Sequence, residues 1–253
     1  MSEYLFHANA LGVGGAVTHN GRRTVIPSHA GVVLSAGGGH GSGRSENYDD
    51  NGVSFSLAET HVKGSEIATG IFETITDVRI HDFTIYDRDD VPRLRIGTME
   101  AWMRSMRSLA DSESQFEVRL TYGGISVDGS ELEPLIDVSL CSAPTFAAVT
   151  TALPAPAGTL TATGTLVRGF HPPGAVVLST AGCELAVPSV GRAVFGEFEF
   201  KQDYRRVRLL RVKLNSGGVV ELTNGGARTA TAGGDDGYIV AGAVEGNGTP
   251  PAG

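Results

Sequence analysis

Apolar and polar residues alternate along much of the chain. Val53, Phe55 and Leu57 recur at a spacing of two, as do Phe116, Val118 and Leu120, Phe198 and Phe200, and Val207 and Leu209. That period predicts half-buried strands. The segment ETITDVRIHDFTIYD (73–87) reads as one long strand in two phases. Val78 and Ile80 lie on one phase and Phe83 and Ile85 on the other, so His81-Asp82 marks a bulge or bend. Gly123-Gly124, Asp128-Gly129, Gly217-Gly218 and Asn224-Gly225 carry the residues of tight hairpin turns. One stretch departs from the period, TMEAWMRSMRSLADSES (98–114). Trp102, Met106 and Leu109 are spaced i, i+4, i+7, Thr98 suits an N-cap and Glu100 the first turn. The expectation is an all-β protein, barrel or sandwich, with one short amphipathic α-helix near 98–110 that packs Trp102 into the core.

Composition shifts divide the chain. TTALPAPAGT (150–159) reads as a linker. It separates a main β domain (1–149) from a smaller β module or continuation of the sheet (159–228); the linker proper is 150–158. A glycine-rich tail (229–253) follows, expected to be loosely held. HAGVVLSAGG (29–38) returns as HPPGAVVLSTAG (171–182), either a degenerate repeat of a β unit or a chance recurrence of short Gly/Val strings. GTLTATGTLV (158–167) lacks Lys and Pro, the residues that blunt sheet edges. It reads as a strand that pairs with another chain, or as an internal strand.

With 253 residues the chain can bury a core without disulfides. Thirty-five glycines without a G-X-Y period suit many tight turns. The net charge of −8 argues against general nucleic-acid binding. Locally, Lys201, Arg205, Arg206, Arg208, Arg211 and Lys213 crowd one stretch, as a solvated strand face or as a patch for an acidic partner. Cys141 and Cys183 make no disulfide framework and read as buried thiols. No signal peptide or membrane-length apolar run appears, so no membrane insertion is expected and the location is cytoplasmic by default. Incorporation into a particle and non-classical export stay open.

The sharpest motif is VVLSAGGGHGSGRS (32–45). From Gly38 it reads G-x-x-x-x-G-R-S, one residue from a phosphate-binding loop. Such a loop must open a helix whose amides face the phosphates. Here ENYDDNGVSFS follows, a turn and then a strand. The stretch is therefore read as a glycine-rich connection between strands, and no cofactor is expected. Glu59 and His61 share one strand face; with His29 or His81 from a neighbouring strand they would form a metal or acid–base site, against the plainer reading of solvent-facing residues. Asp87, Asp89 and Asp90, with Asp49 and Asp50, offer oxygen ligands for Ca²⁺, against the plainer reading of a solvated acidic turn. No G-x-S-x-G elbow marks a nucleophile, so enzyme activity is not indicated.

YLFHANALGVGG (4–15), GVSFSLAETHVKGSE (52–66) and ETITDVRIHDFTIYD (73–87) together resemble an uncharacterised bacterial, glycine-rich all-β family. The similarity covers most of residues 4–140 and implies no activity, substrate or site residue. Two functional readings follow. The first is a non-catalytic interaction or assembly protein, a β-scaffold that forms homo-oligomers or binds a protein partner. The alternative is a β-barrel that binds a small apolar molecule, with cyclase, isomerase or hydrolase activity.

Overall fold

The computed structural model describes residues 4–19, 22–50, 52–110, 114–134, 137–141, 170–171, 183–201, 204–215 and 237–249. Every regular element among them is a strand. In chain order these are β1 (Leu5–His19), β2 (Arg22–His29), β3 (Val32–Val33), β4 (Gly39–Asp50), β5 (Val53–Ala68), β6 (Ile71–Tyr86), β7 (Pro92–Ser108), β8 (Ser114–Val127), β9 (Ser130–Pro134), β10 (Asp137–Cys141), β11 (Phe170–His171), β12 (Cys183–Val187), β13 (Gly191–Lys201), β14 (Tyr204–Leu214) and β15 (Gly237–Thr249). One sheet runs β12-β13-β14-β15-β1-β2, with β3 also beside β1; the other runs β11-β9-β8-β7-β6-β5-β4, with β10 also beside β8. β1 lies against β5 and β6, and β15 against β6 and β7, so the sheets stack face to face as an antiparallel sandwich. Phe83, Phe195, Ile26, Ile80, Leu94 and Met103 fill the space between them. Among the described residues no helix is long and apolar enough to cross a membrane.

The two-phase reading of β6 holds. Val78, Ile80, Phe83 and Ile85 are all buried, and Asp82 between them has φ +53°. A residue in the left-handed region interrupts the two-residue alternation, so the inward positions on either side stand three apart rather than two. The break is shared across the sheet. Register places Asn47 (φ +52°) opposite Ser56, Ser56 opposite Asp82, Asp82 opposite Gly97, and Gly97 opposite Gly124 (φ +65°). The pairing does not slip at this line; every strand changes phase together. Asn, Asp and Gly are the residues that tolerate this backbone. The Ser56 hydroxyl ties the line by donating to Asp82 Oδ2 at 2.6 Å.

The second sheet carries a matching crease. Gly196 (φ +65°) faces Leu209, Leu209 faces Gly242 and Gly242 faces Gly12, with Ala30 (φ +52°) beside Gly12 just past the end of β2. A Cβ on Gly12 would lie 2.9 Å from the Cβ of Ala58 in the opposite sheet, so the sheets close only on a glycine here. Two buried hydroxyls cross the sandwich to this crease. Tyr122 donates to the Leu209 carbonyl at 2.7 Å, and Thr60 to the Ala30 carbonyl at 2.5 Å.

Several expectations need correction. Residues 98–110 are no helix: they lie mostly in β7, where Met99, Ala101, Met103 and Ser105 are buried at period two. Trp102 is only half-buried on the opposite face, and Leu109 is exposed. Pairing to β6 and β8 overrides the helix propensity of Met, Ala and Arg. Gly123-Gly124 is no hairpin but the crease within β8. Asp128-Gly129 does form one, with φ +50° and +75° between the Val127–Ser130 pair, a primed turn. The tail is not loose throughout, since β15 pairs with both β1 and β14 at the centre of its sheet. Glycine content suggested a tail there, whereas small residues are also what a central strand carries where backbones approach closely. The linker 150–158, the second VVLS string, the strand proposed for 158–167 and the turns at 217–218 and 224–225 lie outside the described residues.

Removing either cross-sheet donor leaves a buried carbonyl unpaired. Tyr122→Phe and Thr60→Val are each expected to cost about 1–3 kcal/mol in urea unfolding. Unchanged midpoints would show that these bonds do not anchor the creases.

Candidate functional site

The glycine-rich stretch is neither phosphate loop nor connection. Residues 36–37 turn, and Gly39–Asp50 form β4, the edge strand of its sheet. Residues that a phosphate loop would place in a helix lie in this strand instead. The glycines serve packing. A Cβ on Gly41 would lie 2.9 Å from Val32, and one on Gly43 would lie 2.7 Å from the Ala30 main chain. Alternate glycines thus let the chain from His29 to Leu34 lie down on β4. Gly43→Ala is expected to destabilise the protein by about 1–3 kcal/mol through overpacking. A wild-type thermal midpoint in that variant would contradict this packing role.

The histidine candidates do not converge. Glu59 and His61 share the outer face of β5, but Arg44 engages the Glu59 carboxylate. His61 is exposed and stands opposite Asp77 of β6. His81 stands opposite Leu57, beside the crease. His29 lies on the other face of the sheet, where its Nδ1 is 2.9 Å from the Ser45 hydroxyl and its ring packs against Tyr48 and Phe55 at 4.3 and 5.2 Å. Burial pushes the His29 imidazole below its ordinary value. Asp77 is pushed the other way, upward, chiefly by burial, and its Oδ1 has no hydrogen-bond partner. Neither the His29–Ser45 contact nor the half-buried Asp77 was legible as a pattern, because each depends on which strands become neighbours.

The imidazole has a consequence for stability. Below the ordinary histidine value of about 6.5 the unfolded chain takes up a proton that folded His29 resists, so stability falls as pH drops through that range. The wild-type melting temperature is expected to fall more between pH 7.5 and 5.5 than that of His29→Gln, with both pH values chosen to bracket about 6.5. Parallel pH profiles would contradict the assignment.

The acidic turn is built as a turn. Asp87 accepts N–H bonds from Asp89 at 2.9 Å and Val91 at 3.0 Å, and Arg93 reaches it at 2.6 Å. The Val91 bond first, with Arg93 and Asp89, holds its carboxyl below the ordinary range. Arg93 also binds Asp128 at 2.9 Å. Asp89, Asp90 and Asp49 are exposed. Among the described residues no three His, Cys, Asp or Glu side chains are grouped to hold a metal ion. In the basic stretch, register sets Arg206 opposite Glu199 and Arg208 opposite Glu197, while Val207 and Leu209 are buried. Cys141 closes β10 and Cys183 opens β12.

The outer face of the larger sheet carries a ladder of alternating charge. Glu100, Arg79, Glu59 and Arg44 stand opposite one another on β7, β6, β5 and β4. Arg79 lies 3.3 Å from Glu100, and Arg44 Nε donates to Glu46 at 2.7 Å. Exposed pairs of this kind contribute little to stability. They bear more on which strand fits beside them than on stability. The ladder ends on Arg44, which is 60 % exposed, at an edge where no described strand continues the sheet.

These features define an all-β sandwich with no group of metal-ligating side chains among its described residues. The chain belongs to the family described as a domain of unknown function (DUF8256), whose model matches residues 4–168. No curated protein and no solved structure matches it.

Proposed function

We propose that the protein is a non-catalytic assembly or interaction protein, a β-scaffold whose sheet edge joins a second polypeptide. The observation that carries this reading is β4. It is twelve residues long, mostly exposed, and lies at the edge of an eight-stranded sheet with no described strand beyond it. An edge of that length presents a row of unpaired N–H and C=O groups, a template for another strand. Its first half, Gly39 to Gly43, carries no Lys, Pro or carboxylate to deter pairing. The apolar-ligand reading has less support, because packed side chains such as Phe83, Phe195 and Met103 occupy the interior.

Light scattering on the eluting peak tests the reading. A mass at a multiple of the chain mass, or a stable complex with a captured partner, is expected. A monomer at tens of micromolar that takes up no partner would overturn it.

A further inference from the structure

The register of that edge can be read from β4 itself. Between Gly39 (φ +104°) and Asn47 (φ +52°) the strand is regular. Over residues 40–46 exposure alternates without a break, with His40, Ser42, Arg44 and Glu46 exposed and Gly41, Gly43 and Ser45 half-buried. Along the crease of this sheet a change of phase faces another change of phase, as Asn47 faces Ser56 and Asp82 faces Gly97, whereas Gly39 faces Gly64 in a regular part of β5. A strand added to β4 must therefore match the regular window 40–46 and offer a break opposite Asn47. A second copy of β4, run antiparallel and centred on Gly43, does so, because Asn47 then faces the Gly39 of that copy.

Building on the assembly reading, we propose that the occupant of this edge is a second copy of the chain, paired β4 to β4 about a two-fold axis at Gly43. Charge selects this register. Centred on Gly43, each His40 stands opposite Glu46 of the second copy and each Arg44 opposite Ser42. Cross-strand neighbours must share a face, so the nearest alternatives shift the centre by one residue. Centring on Ser42 sets His40 against Arg44, and centring on Arg44 sets Arg44 against itself; both oppose basic groups. Centring further along, on Ser45, brings Arg44 opposite Glu46 but sets the Asn47 break against the unbroken Gly43. The interface is isologous and closed, so it yields a dimer rather than a fibre.

Two sets of variants test this. His40→Cys with Glu46→Cys in one chain places the two thiols about 20 Å apart along one strand, beyond disulfide reach, whereas directly opposed strands bring them within it. Mild oxidation is expected to give a reducible covalent dimer with a 40-to-46 cross-link by mass spectrometry. Wild type, with only Cys141 and Cys183, is treated in parallel. His40→Glu should weaken the dimer about tenfold or more, and His40→Glu with Glu46→Lys should restore it. Both positions are exposed, and circular dichroism checks that the variants stay β-rich. An oligomer that is neither trapped by the cysteine pair nor sensitive to His40→Glu refutes the β4 pairing while leaving assembly intact. A monomeric wild type refutes the pairing, and one that also takes up no partner refutes the assembly reading with it.

Discussion

A break in side-chain alternation, held in register across five strands, is the constraint on which the rest of the sandwich depends. A left-handed residue in one strand would ordinarily turn the following side chains to the wrong face. Here Asn47, Ser56, Asp82, Gly97 and Gly124 share one line, so the whole sheet changes phase and Ile80 and Phe83 both stay buried. The opposite sheet does the same through Gly196, Leu209, Gly242 and Gly12. Hydroxyls of the larger sheet reach across to this second crease, Tyr122 to Leu209 and Thr60 to Ala30, and satisfy carbonyls in the interior.

From this line follows the form of the β4 edge. The crease fixes where regular pairing stops, at Asn47. The chain from His29 to Leu34 fixes the glycines, because Gly41 and Gly43 are the positions it covers. Between Gly39 and Asn47 the edge is left regular, with Arg44 and Glu46 on one face. A motif that looks made for phosphate is thus shaped by the packing of the chain from His29 to Leu34 against β4.

Much of this was legible in the sequence, and the failures have a common cause. Period-two patterns located the strands, and the phase change in 73–87 marked Asp82 correctly because both halves of that segment bear large apolar residues. The 98–110 segment failed because Trp102, Met106 and Leu109 happen to fall at helical spacing, two of them on the outer face of β7 and the third past its end, while Met99, Ala101 and Met103 held the informative period. Gly123-Gly124 failed because a crease and a hairpin use the same residue types. The candidate site was less legible. Glu59 and His61 do share a face, and Arg44 reaches Glu59 from the adjacent β4, yet the partners of His29 and Tyr122 come from strands that sequence order does not pair. Strand order is set by β15 entering between β1 and β14, which no local pattern announces.

The proposed pairing covers the β4 edge with a second copy of β4. Amide hydrogen exchange of residues 40–46, followed as the protein is diluted, tests it most directly, because edge amides exchange freely unless a strand covers them. With β4 paired to β4, the outward-pointing amides are expected to be protected in concentrated protein and to lose protection as the mass falls to that of one chain. Fast exchange of those amides at every concentration, in a protein whose oligomeric mass persists, would contradict it.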